Sequence, residues 1–365
     1  MKPLNELDIH LVEEAAESAL AYGRSSSDAK ALGIAKDLFR HLFLNEVDVG
    51  KRVGVAKVYS EVLQLIGRTG ADRGDVANAA GLIGSFLQTV DDAVRSSNWG
   101  DAANGVGIAL AQRFDALCES DDGDQAIVWF QRALEYRPRK AAPKEWAQTQ
   151  SNIANVILKK AKIAGDANLT EAAQDHFLHA EDLLRQSEEV LKNSPFKASY
   201  ADLSFNRSIM YRDWSELEGD VDKAERAIEE ARRAAHLYSH ATTPFDWATA
   251  RVKEAQAIVN YVLLNASAND RDIIARLREA CDALFSVIDV LNADHGVDWL
   301  TACVELARVV IELQKFDAFD SARLPAARRT LTAFEDWLQQ AKPDERDWLD
   351  AGDAETVRAA LLSLN

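Results

Sequence analysis

A chain of 365 residues, 47% of them apolar, can bury a substantial core, but its formal net charge of -17 repels a phosphate backbone and excludes nucleic acid as the main partner. Cys118, Cys281 and Cys303 are odd in number and far apart, which excludes a disulfide framework and a paired-thiol metal site. Acidic residues at 6, 8, 13 and 14 do not fit an export signal, and the most apolar run, Ala257 to Leu264, contains Asn260 and falls far short of the ~20 residues that span a bilayer, so a soluble cytoplasmic protein is expected.

Alanine, leucine and charged residues dominate, with 7 Pro and 17 Gly, and strict polar-apolar alternation is scarce, so helices are predicted throughout. In chain order, four amphipathic stretches come first, at about 4–22, 26–44, 51–67 and 75–95, with breaks at Ser25-Ser-Ser27 and Gly67-Arg-Thr-Gly70. They read as two diverged helical hairpins. From residue 98 a repeat begins: an aromatic opens an apolar helical stretch at Trp99, Trp146, Tyr200, Trp247 and Trp299, and Trp348 follows, at spacings of 47, 54, 47, 52 and 49 residues. Eight positions after the first five stand Gly107, Ala154, Ser208, Ala255 and Ala307, small side chains that mark a close helix crossing. Second helices are predicted at about 124–137, 169–191, 221–240, 270–291 and 321–340, joined by turn-rich connections at 119–124, 165–168 and 218–220. Thr243, Pro244 and Asp246 predict an N-cap, a first-turn proline and a dipole-favoured acid at the start of one first helix. Asp353 to Leu364 reads as one closing helix, which a helical array needs to cover its last apolar face.

In Asp124 to Pro138, Ala126, Phe130, Ala133 and Pro138 are spaced as in the second helix of a tetratricopeptide repeat, and the spacing recurs at Ala173, Phe177 and Ala180 and more loosely at Ala224, Ile228 and Ala231. Residues 98 to 340 thus resemble that family, with long first helices similar to those of its bacterial long-period members. The period near 50, against ~34 in the family, requires longer helices or connections. The resemblance implies an all-α solenoid of antiparallel helix pairs: 1–97 as N-terminal hairpins, 98–345 as the repeat array and 346–365 as a capping helix. It also implies binding on a surface formed mainly by first helices.

Chemistry is sparse. None of GxxxxGKS/T, HExxH, GxSxG or a dinucleotide fingerprint occurs, and Gly105-Val-Gly107 lies inside a predicted helix, where packing explains it. His176 and His179 share one helix face, but two imidazoles do not complete a metal site. Asp121-Asp-Gly-Asp124 lacks the glutamate of a calcium loop and reads as a turn, and Arg73-Gly-Asp75 reads as a chance triplet. The clusters Arg137, Arg139, Lys140, Lys144 and Lys159, Lys160, Lys162 read as solvated helix ends, and the tryptophans as a core seam.

No catalytic residue, metal ligand set or cofactor is therefore assigned. The face of the first helices opposite the aromatic seam carries Asn152, Asn155, Lys159, Arg212, Gln256, Asn260 and Arg308 at similar offsets. Amides bond both main-chain groups and cations neutralise a terminal carboxylate, so a protein or peptide partner is expected there. The expected function is a peptide- or protein-binding adaptor or scaffold without catalytic activity; the alternative is a ligand- or peptide-gated sensor that controls a separate effector. Homo-oligomer formation is left open.

Overall fold

The computed structural model describes residues 6–26, 28–68, 73–265, 268–288, 290–291, 297–341, 346, 349 and 352–364. Among them the structure is helical, without strands, and each helix packs on its neighbours in sequence, as an all-α solenoid does. The chain divides into two units, residues 1–193 and 194–365.

The first unit holds α1 (Glu6–Ser26), α2 (Ala29–Asn45), α3 (Val49–Arg68), α4 (Arg73–Thr89), α5 (Ser97–Leu117), α6 (Ser120–Glu135), α7 (Pro143–Asp166) and α8 (Thr170–Leu191). One apolar core runs unbroken from Ala16 on α1 to Ala133 on α6, so no gap in packing falls near residue 97. Trp99 is at its centre, its indole N–H donating to the Leu87 carbonyl at 3.2 Å and its ring against Trp129 and Tyr136. The close crossing expected at Gly107 is present: a β-carbon there would come within 2.6 Å of the Phe130 ring. At Gly105 it would collide with Ser60, which gives both glycines a packing reason.

The second unit holds α9 (Lys197–Glu218), α10 (Val221–Leu237), α11 (Pro244–Leu264), α12 (Asp270–Val287), α13 (Val297–Gln314), α14 (Leu324–Gln340) and α15 (Asp353–Ser363). First helices α9, α11 and α13 touch in a row, and α15 continues that row by packing on α13 and α14, as a closing helix should. Ala224, Ala227, Ala231 and Ala234 on α10 are fully buried, which lets α10 lie close to both α9 and α11. Salt bridges lace the second helices: Arg276 on α12 to Glu225 on α10 at 2.8 Å, and Arg232 on α10 to Glu279 on α12 at 2.7 Å.

Local signals explain most boundaries. Asp220 caps α10 by accepting from the N–H groups of Asp222 and Lys223, immediately after Gly219, whose φ of +66° ends α9 in the left-handed region. Pro143 and Pro244 open α7 and α11.

The structure also corrects several expectations. Thr243 stands at the N-cap of α11, yet its hydroxyl bonds back to Ser239 instead of capping the helix. Residues 121–124 are not a turn. They form the first turn of α6, because Asp122 is buried against Arg113 and acids are favoured at a helix N-terminus. α1 runs through Ser25 and Ser26, and α4 stops at Thr89, followed by a short 3-10 turn at Asp92–Val94. Arg137 is not a solvated helix end. It is buried, pairing with Asp101 at 2.7 Å and donating to Thr149 at 2.8 Å. The aromatic seam is partial: Trp99, Tyr200 and Trp299 are buried, whereas Trp146 and Trp247 are half-buried, covered by Arg139 and by an edge-on His240. Asp75 of the Arg-Gly-Asp triplet is held by Lys36 in the first turn of α4. Trp348 and residues 69–70 of the break at 67–70 lie outside the described residues, and α3 continues through Arg68.

Candidate functional site

The polar groups expected on the first helices occur in both units, and each unit uses them differently. In the second unit they form a continuous chain across α9, α11, α13 and α15. Gln256 is its hinge: its Oε1 accepts from Arg212 Nη1 at 3.0 Å and from Lys253 Nζ at 2.9 Å, while its Nε2 donates to Glu305 Oε1 at 3.2 Å. Arg308 donates to that same Glu305 oxygen at 2.8 Å and to Asp353 on α15 at 3.1 Å. Three predicted residues, Arg212, Gln256 and Arg308, are thus brought together. Asn260 is placed elsewhere: only 6% exposed, it donates to Ser215 Oγ at 2.7 Å and holds α11 to α9.

Lys253 was not among the predicted residues, and it is the most unusual group of this face. It is half-buried, and among the described residues no carboxylate lies within ion-pair distance of its ammonium; its bond is to the neutral amide oxygen that it shares with Arg212. Arg212 has Asp213 as its own counter-ion at 2.9 Å. Burial, and then the charge of Arg212, push the Lys253 amine down to about 8. One sequence signal for it existed: Lys253, Gln256 and Asn260 stand at i, i+3 and i+7, which places them on one face of α11.

In the first unit the equivalent row is spent on structure. Asp101 on α5 is paired by Lys57 from α3 at 2.8 Å and by Arg137, and Thr149 and Asn152 on α7 both donate to Asn104 Oδ1 at 3.2 Å. Burial alone would raise the Asp101 carboxyl, but the hydrogen bond from Lys57 and the charge of Arg137 more than offset it and hold the group below the usual carboxylate range. Asn155 is exposed, and Lys159 donates to the Asp115 carbonyl at 3.0 Å.

A second place of interest in the first unit lies on the other helices. Second helices α6 and α8 leave a slot of about 320 Å³ between them, floored by α7. Ile127, Leu134, Ile153, Ile157 and Leu183 form its walls, with Lys160, His176 and His179 as its basic groups. Burial lowers the His176 imidazole below its ordinary range, and the charges of Lys160 and His179 add to that effect. Among the described residues no third ligand joins His176 and His179 to form a metal site.

No protein-family model matches the chain, and no curated protein matches its sequence. Among the described residues no helix is long and apolar enough to cross a membrane.

Proposed function

We propose that this protein is a tetratricopeptide-like binding module without catalytic chemistry of its own, and that α9, α11 and α13 present a docking face for a peptide or protein segment. One observation carries the reading. Lys253 is a desolvated ammonium whose partner is neutral, beside an arginine bonded to the same oxygen. The carboxylates of Asp298, Asp213 and Glu305 act on this ammonium without a direct ion pair, so its desolvation is only partly offset, and a ligand carboxylate would supply a direct partner. Gln256 and the exposed edge of Arg308 flank it with groups suited to main-chain carbonyls or a second acid.

The test is a screen of labelled full-length protein against bead-bound random decapeptides with free C-termini, followed by fluorescence polarisation on resynthesised hits. Hits are expected to lose at least tenfold in affinity when their C-terminus is amidated, and again with Lys253→Met protein of unchanged far-UV circular dichroism. Hits indifferent to both changes, or no hits at all, would sink the reading. A second reading, a small-molecule-gated sensor, is favoured by the slot between α6 and α8.

A further inference from the structure

The slot between α6 and α8 belongs to neither row of first helices. We propose that it is a binding site for a small amphipathic carboxylic acid, with the carboxylate at His176, His179 and Lys160 and the apolar body against Ile127, Leu134, Ile153, Ile157 and Leu183. The inference deepens the sensor reading and is independent of the peptide face, since every residue in it lies within 120–191.

Three observations converge. The first is size. A volume of about 320 Å³ sits at the lower end of ligand pockets. At about 30 Å³ for each small heavy atom in a liquid, it holds roughly ten or eleven non-hydrogen atoms, the size of octanoate or 3-phenylpropionate. The second is the division of chemistry. Apolar side chains of α6, α7 and α8 line the slot, and the nitrogen groups of His176, His179 and Lys160 come from α8 and α7, so one ligand with a single polar end can satisfy both.

The third is the contrast with the other unit. Second helices α10 and α12 are bridged by Arg276 with Glu225 and by Arg232 with Glu279, so the charged groups there already have protein partners. In the α6/α8 slot the walls are isoleucine and leucine, and Ile127, Leu134 and Leu183 keep part of their surface uncovered. Apolar area left open in a recess is area that a ligand's hydrocarbon can cover.

Charge decides which end group fits. Acting on His176 are Lys160 on α7 and His179 and Asp175 on α8, and Lys160 is paired with Asp124 on α6. The amides of Gln131 and Gln150 complete the polar lining. Asp124 is taken by Lys160 and Asp175 is exposed outside the lining, so an incoming ammonium would meet two imidazoles and an ammonium. A carboxylate can accept from His176 and His179 on α8 and from Lys160 on α7, and it reverses the effect that lowers His176 by favouring the imidazolium. Binding therefore takes up a proton, and affinity rises as pH falls from 8 towards 6, by up to tenfold per pH unit while one proton is coupled.

The test is isothermal titration calorimetry on the full chain with octanoate, 3-phenylpropionate, octanol and octylamine at pH 8 and pH 6. Both acids are expected to bind at least tenfold more tightly than octanol or octylamine, and at least fivefold more tightly at pH 6 than at pH 8. Leu183→Trp fills the slot and is expected to abolish binding. His176→Gln with His179→Gln, at half-buried and exposed positions, is expected to reduce the acid preference at least fivefold and to flatten the pH dependence. Equal affinity for octanoate and octanol, no binding of either acid, or acid binding unaffected by Leu183→Trp would each overturn the proposal. Peptide capture lost in Lys253→Met with octanoate binding intact would separate this site from the first-helix face.

Discussion

Replacing Lys253 by methionine removes the ammonium and keeps most of the stem volume, so its effect on stability can be worked from the site. With the folded amine pushed from 10.5 to about 8, the desolvated charge costs the fold about 3 kcal/mol at pH 7, where both states are protonated. The bond to Gln256 returns about 1 kcal/mol. Lys253→Met should therefore stabilise the protein by about 2 kcal/mol at pH 7. The sign of the pH dependence follows from the depressed folded value. Between pH 8 and 10.5 the unfolded chain binds more protons, so wild-type stability climbs through that window as the penalty disappears. At pH 10 the penalty is below about 1 kcal/mol and the advantage of methionine is gone. Urea unfolding followed by tryptophan fluorescence, run on both proteins at pH 7 and pH 10 with slopes checked for equality, measures the difference. A variant that is destabilised at pH 7, or whose difference is the same at both pH values, would refute the account of a desolvated charge without a direct ion pair.

Two further variants test the packing. Arg137→Met leaves Asp101 with Lys57 alone and removes the donor to the Thr149 hydroxyl, and is expected to cost about 2 kcal/mol in the same assay, because breaking a buried pair exposes its partner's desolvation. Gly107→Ala drives a β-carbon into fully buried Phe130, an overpacking of about 1 to 3 kcal/mol that outweighs the helix-propensity gain of about 1 kcal/mol, whereas Gly81→Ala, with open space around it, should stabilise.

Much of the architecture was readable because it depends on local chemistry repeated along the chain. The pairing of aromatic openers with small residues eight positions on located five first helices, and Gly107 against Phe130 shows why the offset exists. Asp220, Gly219 and Pro244 marked helix ends because caps act within four residues. The acidic run 121–124 misled for the opposite reason. Its turn-like composition was overridden by a tertiary partner, Arg113, that makes Asp122 worth burying in a helix.

The candidate site was legible only in part. Arg212, Gln256 and Arg308 stand out as polar groups at matching offsets, but nothing in the composition distinguishes them from Asn260, whose amide is consumed between helices. Beyond its spacing to Gln256 and Asn260, Lys253 does not stand out, because its peculiarity is a direct bond to a neutral amide instead of a carboxylate, which packing decides. Glu254 is its neighbour in sequence, yet on a helix the two point about 100° apart, and Glu254 is taken by Arg232 and Arg251.

The sequence by itself determined that the chain is a repeating helical array with a closing helix, since periodicity, caps and small residues at fixed offsets are properties of each segment. Only the tertiary structure decided which polar groups hold helices together and which are left bonded to a neutral partner. That depends on distances between residues some 45 positions apart, as between Arg212 and Gln256, and on how much water each charge loses when the helices pack.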